Sequence, residues 1–458
     1  MVGLLLGKGM SWQVITKTGL LSTPMLLAVF LAPTGAAQAL RLQYSAGLDA
    51  EYSTNVLRRE QREADLGLTA WAGAMVDHDS PRFGLEAAGV AERVEYLDDT
   101  LAPENLLALA ARADWRIVPN RLVWRLENYL QQVPIDTTQS FGPGNRQESN
   151  VLWTGPDLSF RVARLYPVEL GVRYGNYRYE ETDGDHDRVA GRLRIGRQLS
   201  RQRQIFVGGQ TMRVWYDHEG RPGEAGTVIG DFDQRDIFVG FEHESAVTAF
   251  SVAIGRTYID RDCFTPTCRE DVDGFMGTLS LRRQAAHDTV VRVLLRSRLT
   301  DSATDLLTSE GHRLEADRGS DTVVQDIMRD RYAELGYITG RFGVDLGVHL
   351  FVLDEDYEVA NRDRKGYGVR VDVAQPLAPA WRGLWYADYV HSDYDLLGYK
   401  DNDWVLGVSL EYQVTRQVFF STGIRANFRH SSGPGRDFNE YVGLLALRYG
   451  ARPDWVER

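Results

Sequence analysis

The sequence predicts an all-β fold: a transmembrane antiparallel up-and-down β-barrel of about twenty strands, behind an N-terminal signal peptide. Three observations predict it. Apolar side chains recur at every second residue from Leu42 to Tyr449, and short and long connections alternate along the chain. After residue 39 no apolar run approaches the roughly 20 residues that a spanning helix needs. At 43% hydrophobic and 25% charged, the 458 residues have the composition of a soluble protein. A membrane barrel shares that composition, because only alternate residues meet lipid. The 21 Tyr and 10 Trp suit aromatic girdles at the two membrane interfaces.

Residues 1–39 read as a secretory signal. Lys8 and Lys17 form the positive region, 20–32 is the apolar core, and Ala37-Gln38-Ala39 has the small-x-small form of a cleavage site. Pro33 and Gly35 end the apolar run too soon for an anchor. Loss of the two lysines takes the formal charge from −12 to −14. The barrel is expected over 40–450, followed by a short tail, 451–458. So few residues before the first strand leave no room for the N-terminal plug of an energised receptor.

Each strand follows from its alternation. Leu42, Tyr44, Ala46, Leu48, Ala50 and Tyr52 share one face of the first, with Gln43, Ser45, Asp49 and Glu51 on the other. The second sets Leu66, Leu68, Ala70, Ala72, Ala74 and Val76 against Asp65, Thr69 and Trp71. The pattern repeats near 82–93, 104–117, 121–131, 150–163, 167–179, 188–199, 203–216, 234–244 and 247–259. It continues near 273–284, 288–299, 323–337, 341–353, 366–376, 380–392, 403–414, 417–429 and 438–450. That makes about 20 strands, with 18 to 22 the range, since boundaries read this way shift by about 2–4 residues. An even number leaves both termini on the periplasmic side. Connections near 118–121, 199–202, 244–246 and 338–340 are short. Those near 132–149, 217–233, 300–322 and 354–365 are long and polar, as periplasmic turns and external loops would be.

One hairpin can be read at side-chain level. Placing Trp115 of strand 104–117 and Trp124 of strand 121–131 on one apolar face pairs 114 with 125 and 112 with 127. Asp114 then faces Arg125 and Arg112 faces Glu127. Opposite charges meet without having been used to choose the register. The two tryptophans lie close to the turn, where an interfacial girdle belongs.

The polar face is expected to line the lumen. It carries Arg112, Asp114, Arg125 and Glu127; Arg188, Arg192 and Arg194; Arg292, Arg296 and Arg298; with Asp236, Glu242, Glu411 and Arg425 elsewhere. Arg or Lys facing lipid at the midplane would cost about 2–4 kcal/mol each, so water is the natural neighbour. Such charge suits an open conduit and an interlocked, filled wall alike. Strand 323–337 is ambiguous, because Arg329, Asp330 and Arg331 put charge on both faces.

The two cysteines, Cys263 and Cys268, frame Phe-Thr-Pro-Thr. In an oxidising compartment a loop-closing disulfide is favoured over a metal site, for which no histidine is near. Asp183-Gly184-Asp185-His186-Asp187 resembles the opening of a calcium loop, but Arg188 stands where that loop demands glycine, so a solvated turn is favoured. No hydrolase, phosphate-loop or zinc motif is present. His349 and His391 are candidate partners for a membrane-embedded serine hydrolase by residue type only.

The segment Trp115-Arg116-Ile117-Val118-Pro119-Asn120-Arg121-Leu122-Val123-Trp124, with Glu127 beyond it, resembles a hairpin of the β-barrel porin 2 family. Thr154-Gly155-Pro156-Asp157-Leu158 and Tyr52-Ser53-Thr54-Asn55-Val56 resemble two further pieces, Thr54 standing where the family usually has Asp. The resemblance implies an outer-membrane barrel tied to exopolysaccharide and PEP-CTERM loci, and it implies no catalytic residues. Such barrels commonly finish on an aromatic residue, a role open here to Tyr449.

The leading expectation is therefore a non-enzymatic, porin-like outer-membrane channel assisting polysaccharide secretion. Its partners would be membrane lipid, polysaccharide and periplasmic export components, with no nucleic acid, metal or cofactor. The alternatives are an outer-membrane hydrolase of lipid or glycan, and a non-transporting barrel that anchors a secretion complex.

Overall fold

A computed structural model describes residues 40–136, 138–182, 184–217, 229–263, 269–301 and 326–450. The signal peptide, the tail and Cys268 lie outside the described residues, as do parts of the long connections near 217–233 and 300–322. Twenty strands follow one another: β1 (Arg41–Ser53), β2 (Asp65–Asp79), β3 (Phe83–Tyr96), β4 (Glu104–Val118), β5 (Leu122–Val133), β6 (Gln147–Val162) and β7 (Tyr166–Tyr179). Next come β8 (His186–Ser200), β9 (Arg203–Tyr216), β10 (Ile229–Glu244), β11 (Thr248–Cys263), β12 (Asp271–Ala286), β13 (Thr289–Asp301) and β14 (Ile327–Thr339). The ring finishes with β15 (Asp345–Tyr357), β16 (Arg364–Ala378), β17 (Trp381–Tyr394), β18 (Tyr399–Gln413), β19 (Val418–Ser431) and β20 (Phe438–Tyr449).

Each strand pairs antiparallel with its sequence neighbours, and β20 pairs with β1 from Ala46↔Tyr449 to Ser53↔Val442, so the sheet closes and has no free edge. Closure satisfies the backbone groups that lipid cannot. Connections on one side span two to five residues and those on the other are mostly longer. The first group is called the short-turn end below, the second the long-loop end.

Alternation decides which residues point out. Leu42, Tyr44, Leu48, Leu193, Ile195, Ile237, Leu406, Ile424 and Leu445 are all exposed on the outer face, Ile424 to 69%. Two aromatic girdles bound this apolar belt. Near the short turns lie Trp115, Trp124 and the ring pairs Trp381–Tyr412 (4.6 Å) and Tyr44–Tyr449 (6.0 Å). Toward the long loops Tyr389 packs at a tilt against Trp404 (4.3 Å) and Phe428 meets Tyr441 edge-on (5.6 Å). A closed sheet with an apolar belt between aromatic girdles belongs in lipid, and the chain is an outer-membrane β-barrel.

The β4–β5 hairpin has the register Arg112↔Glu127, Asp114↔Arg125 and Trp115↔Trp124, and a bulge between Arg116 and Val118 absorbs the odd residue before the turn. Asp114 accepts from Arg125 Nε at 2.8 Å and from Arg112 at 3.1 Å. In β6, Pro156 has no N–H to donate, and the ladder to β7 skips Gly155 and Pro156. Glycine is required there: a Cβ on Gly155, at φ +155°, would fall 2.0 Å from the Val172 carbonyl oxygen. Gly407 answers a different need. It faces Tyr386 across β17–β18, where a Cβ would lie 2.2 Å from the ring.

The strands hold 12 to 16 residues, more than the roughly 9–11 that cross a bilayer. The surplus resolves the charge on both faces of β14. Asp330 points in, while Arg331 points out and pairs with Asp354 at 2.6 Å. Arg256–Asp273 and Lys365–Asp395 are exposed pairs on the same outer side. They form a charged collar toward the long loops, where headgroups rather than acyl chains are the neighbours.

Candidate functional site

The candidate site is the barrel interior. Following the registers from strand to strand, the side chains opposite the exposed apolar set form one continuous inner face. Arg112, Asp114, Arg125, Glu127, Arg188, Arg192, Arg194, Arg292, Arg296 and Arg298 all stand on it. Trp115 and Trp124 stand on the outer face, 59% and 43% exposed.

Most of these charges are joined to others. Arg125 bridges Asp114 and, at 3.4 Å, Asp157, which also binds Arg173. Arg194 meets Glu242 at 2.5 Å, and Arg296 and Arg298 share Asp330 at 2.7 and 3.1 Å. Arg425 reaches Glu51 at 2.5 Å, Arg448 pairs with Glu411, and Arg370 pairs with Asp388 at 2.7 Å. Arg192 and Arg292 make no ion pair among the described residues and stay exposed to the lumen. In a water-filled interior partly screened pairs of this kind stiffen the wall without sealing it.

The two ends of the lumen differ. Inward residues near the short turns, such as Asp77, Arg282 and Arg292, are exposed, whereas Val133, Gln147, Tyr177, Arg188 and Val214 at the long-loop end are fully enclosed. Two elements cause this. The β12–β13 ladder stops at Gly277↔Ser297, yet β13 runs on to Asp301, paired only with β14. The tip of that hairpin leaves the wall and bends inward. There Leu299 and Ile327 pack with Met212, Val214, Phe232 and Ile259 of β9–β11, and Asp301 pairs with Arg188 of β8. Arg188 also lies over the Tyr177 ring at 4.4 Å, and that ring stacks on His186 at 4.3 Å. Arg261 approaches Asp326 to 3.6 Å. Burial pushes the Asp326 carboxyl up, against hydrogen bonds from the amides of Ala360, Val359 and Ile327.

The second element is the connection 134–146. The Thr138 carbonyl accepts from Arg429 (3.4 Å) and Arg436 of the last hairpin, and the Phe141 carbonyl accepts from Arg58 of the first long loop. Asp136 approaches Arg362 to 3.6 Å, from a loop ten strands further round. The segment therefore crosses the mouth. Sequence reading places it only as a long polar loop. Its one signal is internal: Asn145 and Asp136 brace each other through the Asp136 amide and carbonyl (both 2.8 Å), which marks a built loop rather than a solvated one.

Other candidate residues fall elsewhere. Cys263 is disulfide-bonded, at the long-loop end of β11. Within the calcium-like turn, Asp183 lies outside the described residues, while Arg178 sits 3.9 Å from Asp185, 3.5 Å from Asp187 and 3.0 Å from Asp217. A guanidinium already occupies the place a cation would take. His349 faces the lumen and bonds Glu334 at 3.1 Å, whereas His391 lies on the outer face, bonded to Asn402 at 2.9 Å. Among the described residues no serine hydroxyl is hydrogen-bonded to either histidine.

No family model matches the chain, and no curated protein does. Among solved structures it is similar to the siderophore receptor PirA from Pseudomonas aeruginosa, with 10% identity and a TM-score of 0.45 over 89% of this chain and 80% of that one. It is likewise similar to the FrpB iron transporter from Neisseria meningitidis, F5-1 variant, with 8% identity and a TM-score of 0.45 over 89% and 81%. The likeness is one of barrel architecture.

Proposed function

We propose that this barrel is a non-enzymatic outer-membrane conduit that assists secretion of a polysaccharide, and that it belongs with the β-barrel porin 2 proteins its β4–β5 hairpin resembles. One observation carries the reading: the interior is a charged vestibule, open toward the short turns and narrowed toward the long loops by the β13–β14 tip and the 134–146 connection. A hydrated polymer arriving from the periplasm would meet fixed charges and hydroxyls in place of its water shell, and would leave through a mouth whose closing elements are held by ion pairs rather than by the wall. The short-turn rim is then the surface for periplasmic export components.

Planar-bilayer recording and liposome sugar flux test this. Little conductance is expected from the intact barrel, and clear conductance and oligosaccharide flux after Asp301→Asn combined with Thr138–Gly144 replaced by a short Gly-Ser link. A folded variant with neither would overturn the conduit. The packed long-loop end favours a second reading, a non-transporting barrel that anchors a secretion complex. That barrel would hold a stable periplasmic partner through its short turns while the opened variant stayed impermeable.

A further inference from the structure

Arg282 and Arg292 are direct cross-strand partners on β12 and β13, and both point into the lumen. Asp77 and Glu86 are direct cross-strand partners on β2 and β3, and both also point in. The first pair stands ten strands from the second in either direction round the twenty-strand ring, so they face each other across it. All four lie toward the short-turn ends of their strands, all four are exposed, and none makes an ion pair among the described residues. Like charges set directly opposite each other destabilise a sheet, and the ordinary remedy, a bridging opposite charge, is used for most of the other charges of this interior. Asp77 and Glu86 are flanked in their row by Arg41 of β1 and Arg112 of β4, whereas Arg282 and Arg292 are flanked by Ala249 and Gly336 and have no acidic neighbour in the row.

The cationic cross-strand row continues from Arg292 to Gly336, His349 and Arg370. A Cβ at Gly336 would meet His349 Nδ1 at 3.3 Å and the Arg292 Cβ at 3.5 Å, so the His349 ring leans over the glycine and stands beside Arg292. Arg370 is held by Asp388 and His349 by Glu334, which leaves Arg282 and Arg292 as the donors facing open lumen. On the acidic wall Arg112, the register partner of Glu86, is likewise engaged by Asp114 and Glu127.

We infer that the solute is anionic, and that Arg282 and Arg292, the adjacent cationic pair with no acidic neighbour in its row, bind the carboxylate of an acidic sugar at the periplasmic mouth. Two guanidinium forks side by side suit planar carboxylates, and a lumen with fixed charge on opposite walls orients whatever enters it. The inference rests on the conduit reading for its purpose and not for its test.

The experiment is calorimetric titration of the purified full barrel in detergent with oligogalacturonate, and with a maltooligosaccharide of equal length as the neutral probe. The acidic oligomer should bind, more weakly as salt rises, and R282Q/R292Q should weaken it by about tenfold or more, the loss expected of a charge-assisted contact. D77N/E86Q should leave binding unchanged or tighten it. Heat-modifiable migration on gels checks that each variant has folded. Equal affinity for the neutral oligomer, no binding by the unaltered barrel, or unchanged binding by folded R282Q/R292Q would overturn the site. A barrel that binds in this way yet passes no sugar keeps the anion site and loses the conduit.

Discussion

Arg188 of β8 and Asp301 of β13 meet as a two-point ion pair inside the lumen, their side chains 0% and 1% exposed, although their strands stand five places apart in the ring. The contact exists only because the β13–β14 tip leaves the wall. It ties an element that could have remained in the sheet to the wall a quarter of the way round the ring.

Asp301→Asn keeps the shape and removes the charge, taking from Arg188 its buried carboxylate partner. Loss of one partner of an enclosed pair costs about 3–5 kcal/mol, here confined to the inward tip. Amide hydrogen exchange at Leu299, Ile327 and Met328 should accelerate strongly, with the β4–β5 ladder unchanged. Unaltered exchange at the tip would show that packing of Leu299 and Ile327 alone holds it.

Asp136 makes the inward loop acid-sensitive. Burial pushes its carboxyl up, but hydrogen bonds from Gln139 and Thr138, with Arg362 nearby, outweigh burial and hold it below the ordinary carboxylate value. A carboxyl with a depressed value in the folded state stabilises that state above the unfolded value and loses the contribution as pH falls through the folded one. Hydrogen exchange in 134–146 should therefore be steady from pH 7 to about 5, apart from the intrinsic rate, and should rise below about pH 4. Asp136→Asn should loosen the loop at neutral pH and abolish that acid step.

Lipid contact on the outer belt sets a third outcome. Ile424, near the middle of β19, should tolerate leucine, whereas Ile424→Arg should cost about 2–4 kcal/mol in urea unfolding from lipid vesicles. Equal stability of the two variants would remove lipid from that face.

Two glycines should behave in opposite ways. Gly155→Ala drives a methyl into the Val172 carbonyl, and should lower stability by about 1–3 kcal/mol, as overpacking does. Gly443 has nothing within 4 Å of the same added atom, so Gly443→Ala should stay within about 0.5 kcal/mol of the unaltered protein. Urea midpoints in the same vesicles compare them directly.

The strands were legible because each one separates two solvents locally. Leu48 outside and Asp49 inside need only each other's position to be assigned, and the same holds round all twenty strands. The Asp114–Arg125 and Arg112–Glu127 pairings were legible for a related reason: a tight turn transmits register from one strand to the next. Departures from alternation had no such guide. Arg329, Asp330 and Arg331 in succession look like a conflict of faces until β14 is seen to rise above the lipid belt, where charge outside costs little.

What the sequence by itself determined was therefore the wall: closed, antiparallel, charged within and apolar without, since lipid and water act on every residue independently of what lies across the ring. Only the tertiary structure decided what the wall encloses. The bend of β13–β14 that brings Asp301 to Arg188 and the passage of 134–146 across the mouth join residues that lie several strands apart. Their meeting depends on the curvature and stagger of the whole sheet, which no local pattern encodes.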